Sequence, residues 1–117
     1  MASNFKSNVP NVKAQFERNI AKTLTAMGLK ADELTKQNIV NSGRVDTGTM
    51  LNSVTSQIDV GSREVIHGSG LHYFPFQELG TSRGIQPGNF IRDTINNGQG
   101  EFKAIVEAVM GEGFNTK

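Results

Sequence analysis

The sequence predicts an α+β fold in which a long N-terminal helix and a C-terminal helix pack on a small antiparallel sheet. Three patterns carry that expectation. Apolar residues recur at steps of three and four from Val12 to Leu34, the spacing of one helix face. They alternate with polar residues from Val54 to Val60, the spacing of a half-buried strand. They return to helical spacing from Phe102 to Val109. The 117 residues fit a single domain. About eight residues at the N-terminus and about seven at the C-terminus are expected to be flexible. Val, Ile, Leu and Phe make up about a quarter of the chain, enough for collapse onto one modest core.

The first helix is read from Val12, Phe16, Ile20, Leu24, Met27, Ala31 and Leu34. Ser7 or Asn8 suits its N-cap, Pro10 its first turn, and Asn41-Ser42-Gly43 its stop. From Asn11 to Val40 it would extend about 45 Å at 1.5 Å per residue. Gly28 costs about 1 kcal/mol relative to alanine, so a bend there, or two shorter helices folded on one core, is the alternative. A helix this long exceeds what the remaining residues can cover, and part of its stripe is expected to meet another subunit.

Asp46-Thr47-Gly48-Thr49 then forms a polar turn able to cap one helical turn through Met50 and Leu51. Val54 to Val60 and Arg63 to His67, joined by Gly61-Ser62, read as an antiparallel hairpin ended by Gly68-Ser69-Gly70. Leu71 to Leu79 supplies aromatic core residues. Pro75 cannot donate to a central ladder, so this run is expected to be an edge strand or an irregular extended segment. Gly80 to Gly88 is a loop. Asn89 is placed to cap a short helix holding Phe90, Ile91 and Ile95, and Asn97 to Gly100 separates it from a helix over Glu101 to Met110.

Several functional classes fare poorly. The 12 basic and 11 acidic residues leave a net charge of +1, too little to hold DNA or an anionic membrane by overall field. There are no cysteines, hence no disulfides, thiolate zinc or thiol chemistry. Met1 to Lys6 lacks the apolar run of a signal peptide, and no window approaches the roughly 20 apolar residues of a membrane helix. His67 and His72 have no carboxylate pair at metal-ligand spacing, and Ser69 and Ser82 have no nucleophile elbow around them. The loops Gly68-Ser69-Gly70 and Gly80 to Gly84 lack the lysine-hydroxyl pair of a phosphate loop. Arg18, Arg44, Arg63, Arg83 and Arg92 are scattered, which disfavours sequence-specific DNA binding. Glu78 sits in an apolar run and is expected to accept backbone N–H bonds from the Gly80 to Gly84 loop or to pair with Arg92.

Two stretches carry a resemblance. Arg44-Val45-Asp46-Thr47-Gly48-Thr49-Met50-Leu51-Asn52-Ser53-Val54 resembles the D-T-G-x-L-x-x-S-I segment of a family of small siphophage proteins known as minor tail components, neck proteins or tail-completion proteins. Tyr73-Phe74-Pro75-Phe76-Gln77-Glu78-Leu79-Gly80-Thr81, followed by Pro87-Gly88-Asn89-Phe90-Ile91-Arg92, is similar to that family's Y-x-x-x-x-E-x-G-T … P-x-x-F-L-R signature. Pro75 and the Asn97 to Gly100 break depart from the pattern. The resemblance implies an α+β subunit without cofactor, metal or catalysis. It would lie in the virion at the head-to-tail junction of a tailed bacteriophage, after synthesis in the host bacterial cytoplasm.

The expected assembly is a ring homo-oligomer with a head-closure or connector protein on one side and a tail terminator or tail tube on the other. Viral DNA would pass through without sequence-specific binding, and no membrane is involved. Asp46, Thr47, Gly48, Leu51, Ser53, Tyr73, Glu78, Gly80, Thr81, Pro87, Phe90 and Arg92 are then scaffold residues of the motifs. Arg44, Arg83, Phe16, Ile20 and Leu24 are candidates for a channel lining or a subunit interface. The alternatives are a tail terminator or other minor head or tail component and, from another class, a small DNA-binding host-takeover protein.

Overall fold

In the computed structural model the described residues are 2–44 and 47–112, with side chains described from residue 11 onward except at Thr47. Helix α1 (Ala2–Ser42) and a short α2 (Thr47–Ser53) precede a hairpin of β1 (Val54–Asp59) and β2 (Glu64–Ser69), and α3 (Phe74–Leu79), α4 (Phe90–Asn97) and α5 (Gln99–Met110) complete the fold. The expected α+β arrangement of long helix, small antiparallel sheet and C-terminal helix is therefore present.

Helix α1 begins well before Asn11, so Ser7 and Asn8 lie within the helix instead of capping it. No glycine interrupts Ala2 to Val9, and Pro10 removes one backbone donor without ending the helix. Gly28 does not break the helix either. A Cβ there would lie 3.1 Å from Ser56 Cβ and 3.6 Å from Val65 Cγ1, so the missing side chain lets the hairpin lie against the helix. The stop is as expected: Gly43 takes the left-handed conformation (φ 65°), and Ser42 Oγ donates to Ile39 O at 2.6 Å.

The hairpin pairs Val54 with Ser69 through Asp59 with Glu64, so Val54, Ser56, Ile58, Val65, His67 and Ser69 share one face. Pairing opposite Val54 and Thr55 carries β2 through Gly68 to Ser69, past its expected end. Arg63, expected in the strand, instead turns the chain at φ 58°. The backbone N–H and hydroxyl of Ser62 hold the Asp59 carboxyl below its usual range.

The run expected to be extended is helix α3. Pro75 stands in its first turn, where a missing N–H has no intrahelical partner to lose, and Phe74 is driven into the core. Helix α5 starts two residues before Glu101, and the expected four-residue break contracts to Gly98. A Cβ at Gly98 would lie 2.5 Å from Thr94 O and 2.8 Å from Leu34 Cδ1, so glycine is what permits this close turn against α1.

The core is Ile39, Met50, Val54, Phe74 and Phe90, with Leu51, Leu71, Tyr73 and Ile91 packed around it. Helix α5 runs back along α1. Glu101 meets Lys30 at 3.7 Å, and Asn19 Nδ2 donates to Met110 O at 3.1 Å and Glu112 O at 2.7 Å. The hairpin turn reaches the same end, where Arg63 lies 5.6 Å above the Phe16 ring and 3.8 Å from Glu17. The extents of 69 × 25 × 22 Å and a radius of gyration of 18.9 Å, against about 13 Å for a compact chain of this length, mark an elongated molecule.

Among the described residues, Thr23 Oγ1 is the one buried side-chain oxygen without a hydrogen-bond partner. Removing an unsatisfied hydroxyl relieves its desolvation penalty, so Thr23→Val is expected to raise stability by roughly 0.5–1 kcal/mol in urea titration.

Candidate interaction surfaces

The second motif forms one closed unit. Helix α3 ends at Gly80, whose backbone (φ 77°, ψ 174°) redirects the chain into a loop closed by Thr81 N–H to Ile85 O at 2.9 Å. The chain then returns beside α3, with Gly88 N–H donating to Gln77 O and Asn89 N–H to Glu78 O. Phe90 enters the core at the start of α4.

Asn89 occupies the N-cap position of α4 in a left-handed conformation, but its side chain makes no cap bond. Glu78 supplies the cap instead. Its Oε1 accepts from Ile91 N–H and its Oε2 from Arg92 N–H, each at 3.0 Å. A carboxylate there meets free N–H groups and the positive end of the helix dipole together. Backbone N–H groups do bond Glu78, but they belong to α4 and correct the expected donors in the Gly80 to Gly84 loop. Arg92 contributes its backbone; its side chain is exposed.

Arg44 fastens this unit to the end of α1. Its guanidinium donates to Gln77 Oε1 at 2.7 Å and Gln86 O at 2.6 Å, and lies 5.4 Å above the Phe90 ring. In the first motif, Asp46 lies outside the described residues, as does the Thr47 side chain. Gly48 is exposed in α2, Leu51 packs on the core, and Ser53 Oγ donates to Met50 O at 2.7 Å while accepting from Ser69 Oγ at 2.6 Å.

The reactive side chains fall in separate places. His72 is exposed, edge-on to Tyr73 with ring centroids 5.6 Å apart. Ser69 is bonded to Ser53, and Ser82 is exposed. His67 turns inward to a network that the sequence did not reveal. Its Nδ1 lies 3.0 Å from Asp32 Oδ1 and 2.8 Å from Ser56 Oγ, and its Nε2 lies 2.8 Å from Thr35 Oγ1. Thr35 in turn meets Thr94 Oγ1 at 2.7 Å, and Asn38 Nδ2 donates to Phe90 O at 3.0 Å.

The order hydroxyl, imidazole, carboxylate is that of a nucleophilic triad. Thr35, however, is fully buried and its hydroxyl is shared with Thr94, which leaves a substrate no approach to it. The network ties α1, β1, β2 and α4 together. Thr35→Val would strand His67 Nε2, while the Thr94 hydroxyl keeps Phe90 O and Asn38 Nδ2, with an expected loss of about 1.5 kcal/mol in thermal or urea unfolding. No group of three or more His, Asp or Glu side chains that could hold a metal occurs among the described residues, and no helix there is long and apolar enough to cross a membrane.

Exposed apolar side chains occur along the whole fold, Leu29, Ile66 and Ile95 among them, and form two clusters set far apart. Near the N-terminal end of α1, Val12 and Phe16 are 52% and 39% exposed, whereas Ile20 and Leu24, also offered by the sequence for an interface, are buried within the chain. At the other end Phe76, Leu79 and Ile85 are exposed around Gly80, Leu79 to 73%, beside the exposed Arg83. Between them, Leu29, Val40 and Leu51 line an open groove of about 610 Å³ with Asp32, Glu33 and Lys36.

Compared with protein-family models, curated proteins and solved structures, the chain matches none.

Proposed function

We propose that this chain is a structural subunit of a tailed bacteriophage, assembling as a ring at the junction of the DNA-filled head and the tail and acting by shape and repeated contact. The observation that carries the reading is the pair of unlike apolar patches set far apart along an elongated chain. Phe16 and the end of α1 at Ser42 are separated by about 39 Å at 1.5 Å per residue, and the Phe76, Leu79 and Ile85 patch lies at the Ser42 end through Arg44, Gln77 and Gln86. A contact between two different patches is heterologous, and where its rotation closes it builds a ring. Many weak contacts then sum to a firm assembly. The two sequence motifs support the same reading.

In this reading a head-closure or connector protein lies on one side and a tail terminator or tail tube on the other, and DNA passes through without being read. The nearly neutral charge disfavours the DNA-binding alternative. Negative-stain microscopy of particles lacking this protein is expected to show separated heads and tails. Intact virions with normal ends, or turnover of a substrate that vanishes when Glu78 or His67 is neutralised, would overturn the reading.

A further inference from the structure

The network around His67 also fixes where its hydrogens lie. A short contact between two oxygen or nitrogen atoms needs a hydrogen between them; a carbonyl or carboxylate oxygen supplies none and a hydroxyl supplies one. From Nε2 the chain of contacts runs to Thr35 Oγ1 at 2.8 Å, on to Thr94 Oγ1 at 2.7 Å and to Phe90 O at 2.8 Å, so three links share two hydroxyl hydrogens. Thr94 donates to the carbonyl and Thr35 donates to Thr94. The hydrogen between Nε2 and Thr35 therefore belongs to the imidazole. Asn38 Nδ2 also donates to Thr94 Oγ1, at 3.3 Å, which keeps that oxygen an acceptor on its other sides.

Nδ1 gives the same answer. It lies 2.8 Å from Ser56 Oγ and 3.0 Å from Asp32 Oδ1, while Ser56 Oγ lies 2.7 Å from that carboxylate and 3.2 Å from Gly28 O. The one hydroxyl hydrogen of Ser56 is drawn to pure acceptors, so the hydrogen toward Nδ1 is again the imidazole's own.

Neither neutral form fits. A hydrogen on Nδ1 alone would reverse both threonine hydroxyls and set Thr94 Oγ1 against Phe90 O at 2.8 Å with nothing between them. A hydrogen on Nε2 alone would set a bare Nδ1 against Ser56 and Asp32. Thr35 and Thr94 are buried, so water does not repair either fault. A buried cation needs a counter-charge, and Asp32 supplies it. Of the elements around the imidazole, α1 presents this carboxylate, β1 Ser56, α4 Thr94 and α5 Phe102, while Lys30 of α1 is turned to Glu33 and Glu101.

We propose that the fold is built around the doubly protonated form of His67, which makes the seam between α1, the hairpin and α4 a pH-sensitive latch. Loss of one hydrogen as the pH rises puts two acceptors face to face in a dry seam and removes the charge that Asp32 pairs. The latch is closed while the imidazole holds both hydrogens and slackens once it gives one up. It stands on this network alone and holds whether or not the chain assembles.

His72→Gln leaves His67 as the one histidine, and His72 is exposed and outside the network. In that full-length protein with isotope-labelled histidine, nuclear magnetic resonance at neutral pH is expected to show both imidazole nitrogens at the position of a hydrogen-bearing nitrogen. One signal at the position of a bare nitrogen would overturn the proposal. Urea unfolding of the same protein tests the latch. No partner holds the second hydrogen in the unfolded chain, so stability is greatest on the acid side. The unfolding midpoint is expected to fall as the pH is raised, levelling where the folded imidazole has given up one hydrogen. A midpoint that stays flat or rises over that range would show that the seam is indifferent to the charge and would end the latch.

Discussion

Gly80→Ala is expected to cost about 3 kcal/mol or more. Two effects add. The backbone at Gly80 combines φ 77° with ψ 174°, a region essentially closed to residues with a Cβ and costing about 1–3 kcal/mol where forced. The added Cβ would also lie 2.8 Å from Ile85 O and 2.9 Å from both Pro87 N and Pro87 Cδ. Those neighbours are backbone and a proline ring, which cannot swing aside as the end of a flexible side chain would. Relief requires opening the loop that returns Gly88 and Asn89 to α3, and with it the seat of Phe90. Urea unfolding with a reduced midpoint and a conserved slope would register this as lost stability. A loss below about 1 kcal/mol would mean that the loop has room the geometry denies. Gly48→Ala is the control: nothing lies within 4 Å of its Cβ position, and helical φ suits alanine.

What the sequence disclosed and what it withheld separate along a physical line. The α1 stripe, the stop at Gly43 and the face shared by Val54, Ser56 and Ile58 are legible because periodicity and turn chemistry are local. Pro10 and Pro75 misled for the opposite reason. Proline excludes particular hydrogen bonds, not helices as such: Pro75 falls in the first turn of α3, where nothing is lost, and α1 runs on through Pro10 with one donor fewer. The His67 network was beyond local reasoning, since its partners Asp32 and Thr35, Ser56, and Thr94 come from three other elements, α1, β1 and α4. A faint signal existed. Thr35 stands between Ala31 and Ile39 at steps of four, and a polar residue between two apolar ones on a helix face needs a partner.

The candidate surfaces divide in the same way. An over-long stripe on α1 could be read from spacing, and Phe16 with Val12 is indeed bare. Which stripe residues the chain covers for itself could not, because Ile20 and Leu24 are buried only once α5 and the hairpin have packed. The patch of Phe76, Leu79 and Ile85 was hidden by the expectation that α3 would be an edge strand or an irregular extended segment. In a strand, residues 76 and 79 would point to opposite faces; one helical turn brings them to one side.

Glu78 is where motif and stability meet, and Glu78→Ala is expected to cost about 2–3 kcal/mol, second only to Gly80→Ala. The carboxylate takes both N–H groups at the start of α4, and without it Asn89, which is left-handed and makes no cap bond of its own, cannot substitute. Half-burial of Glu78 lets water reach part of the site, which keeps the loss from being larger. Glu78→Gln separates charge from geometry. An amide keeps one acceptor and turns a donor toward the second N–H, so roughly half of the alanine loss is expected to remain. If the effect were electrostatic alone, glutamine would lose as much as alanine; if only packing mattered, it would lose nothing. The cap and the Gly80 turn also depend on each other, since Glu78 can reach Ile91 and Arg92 only while the loop holds α4 in place. The double substitution Gly80→Ala with Glu78→Ala should therefore cost less than the two losses added, by about 1 kcal/mol. Strict additivity would show that the motif's glutamate and glycine act on separate parts of the fold.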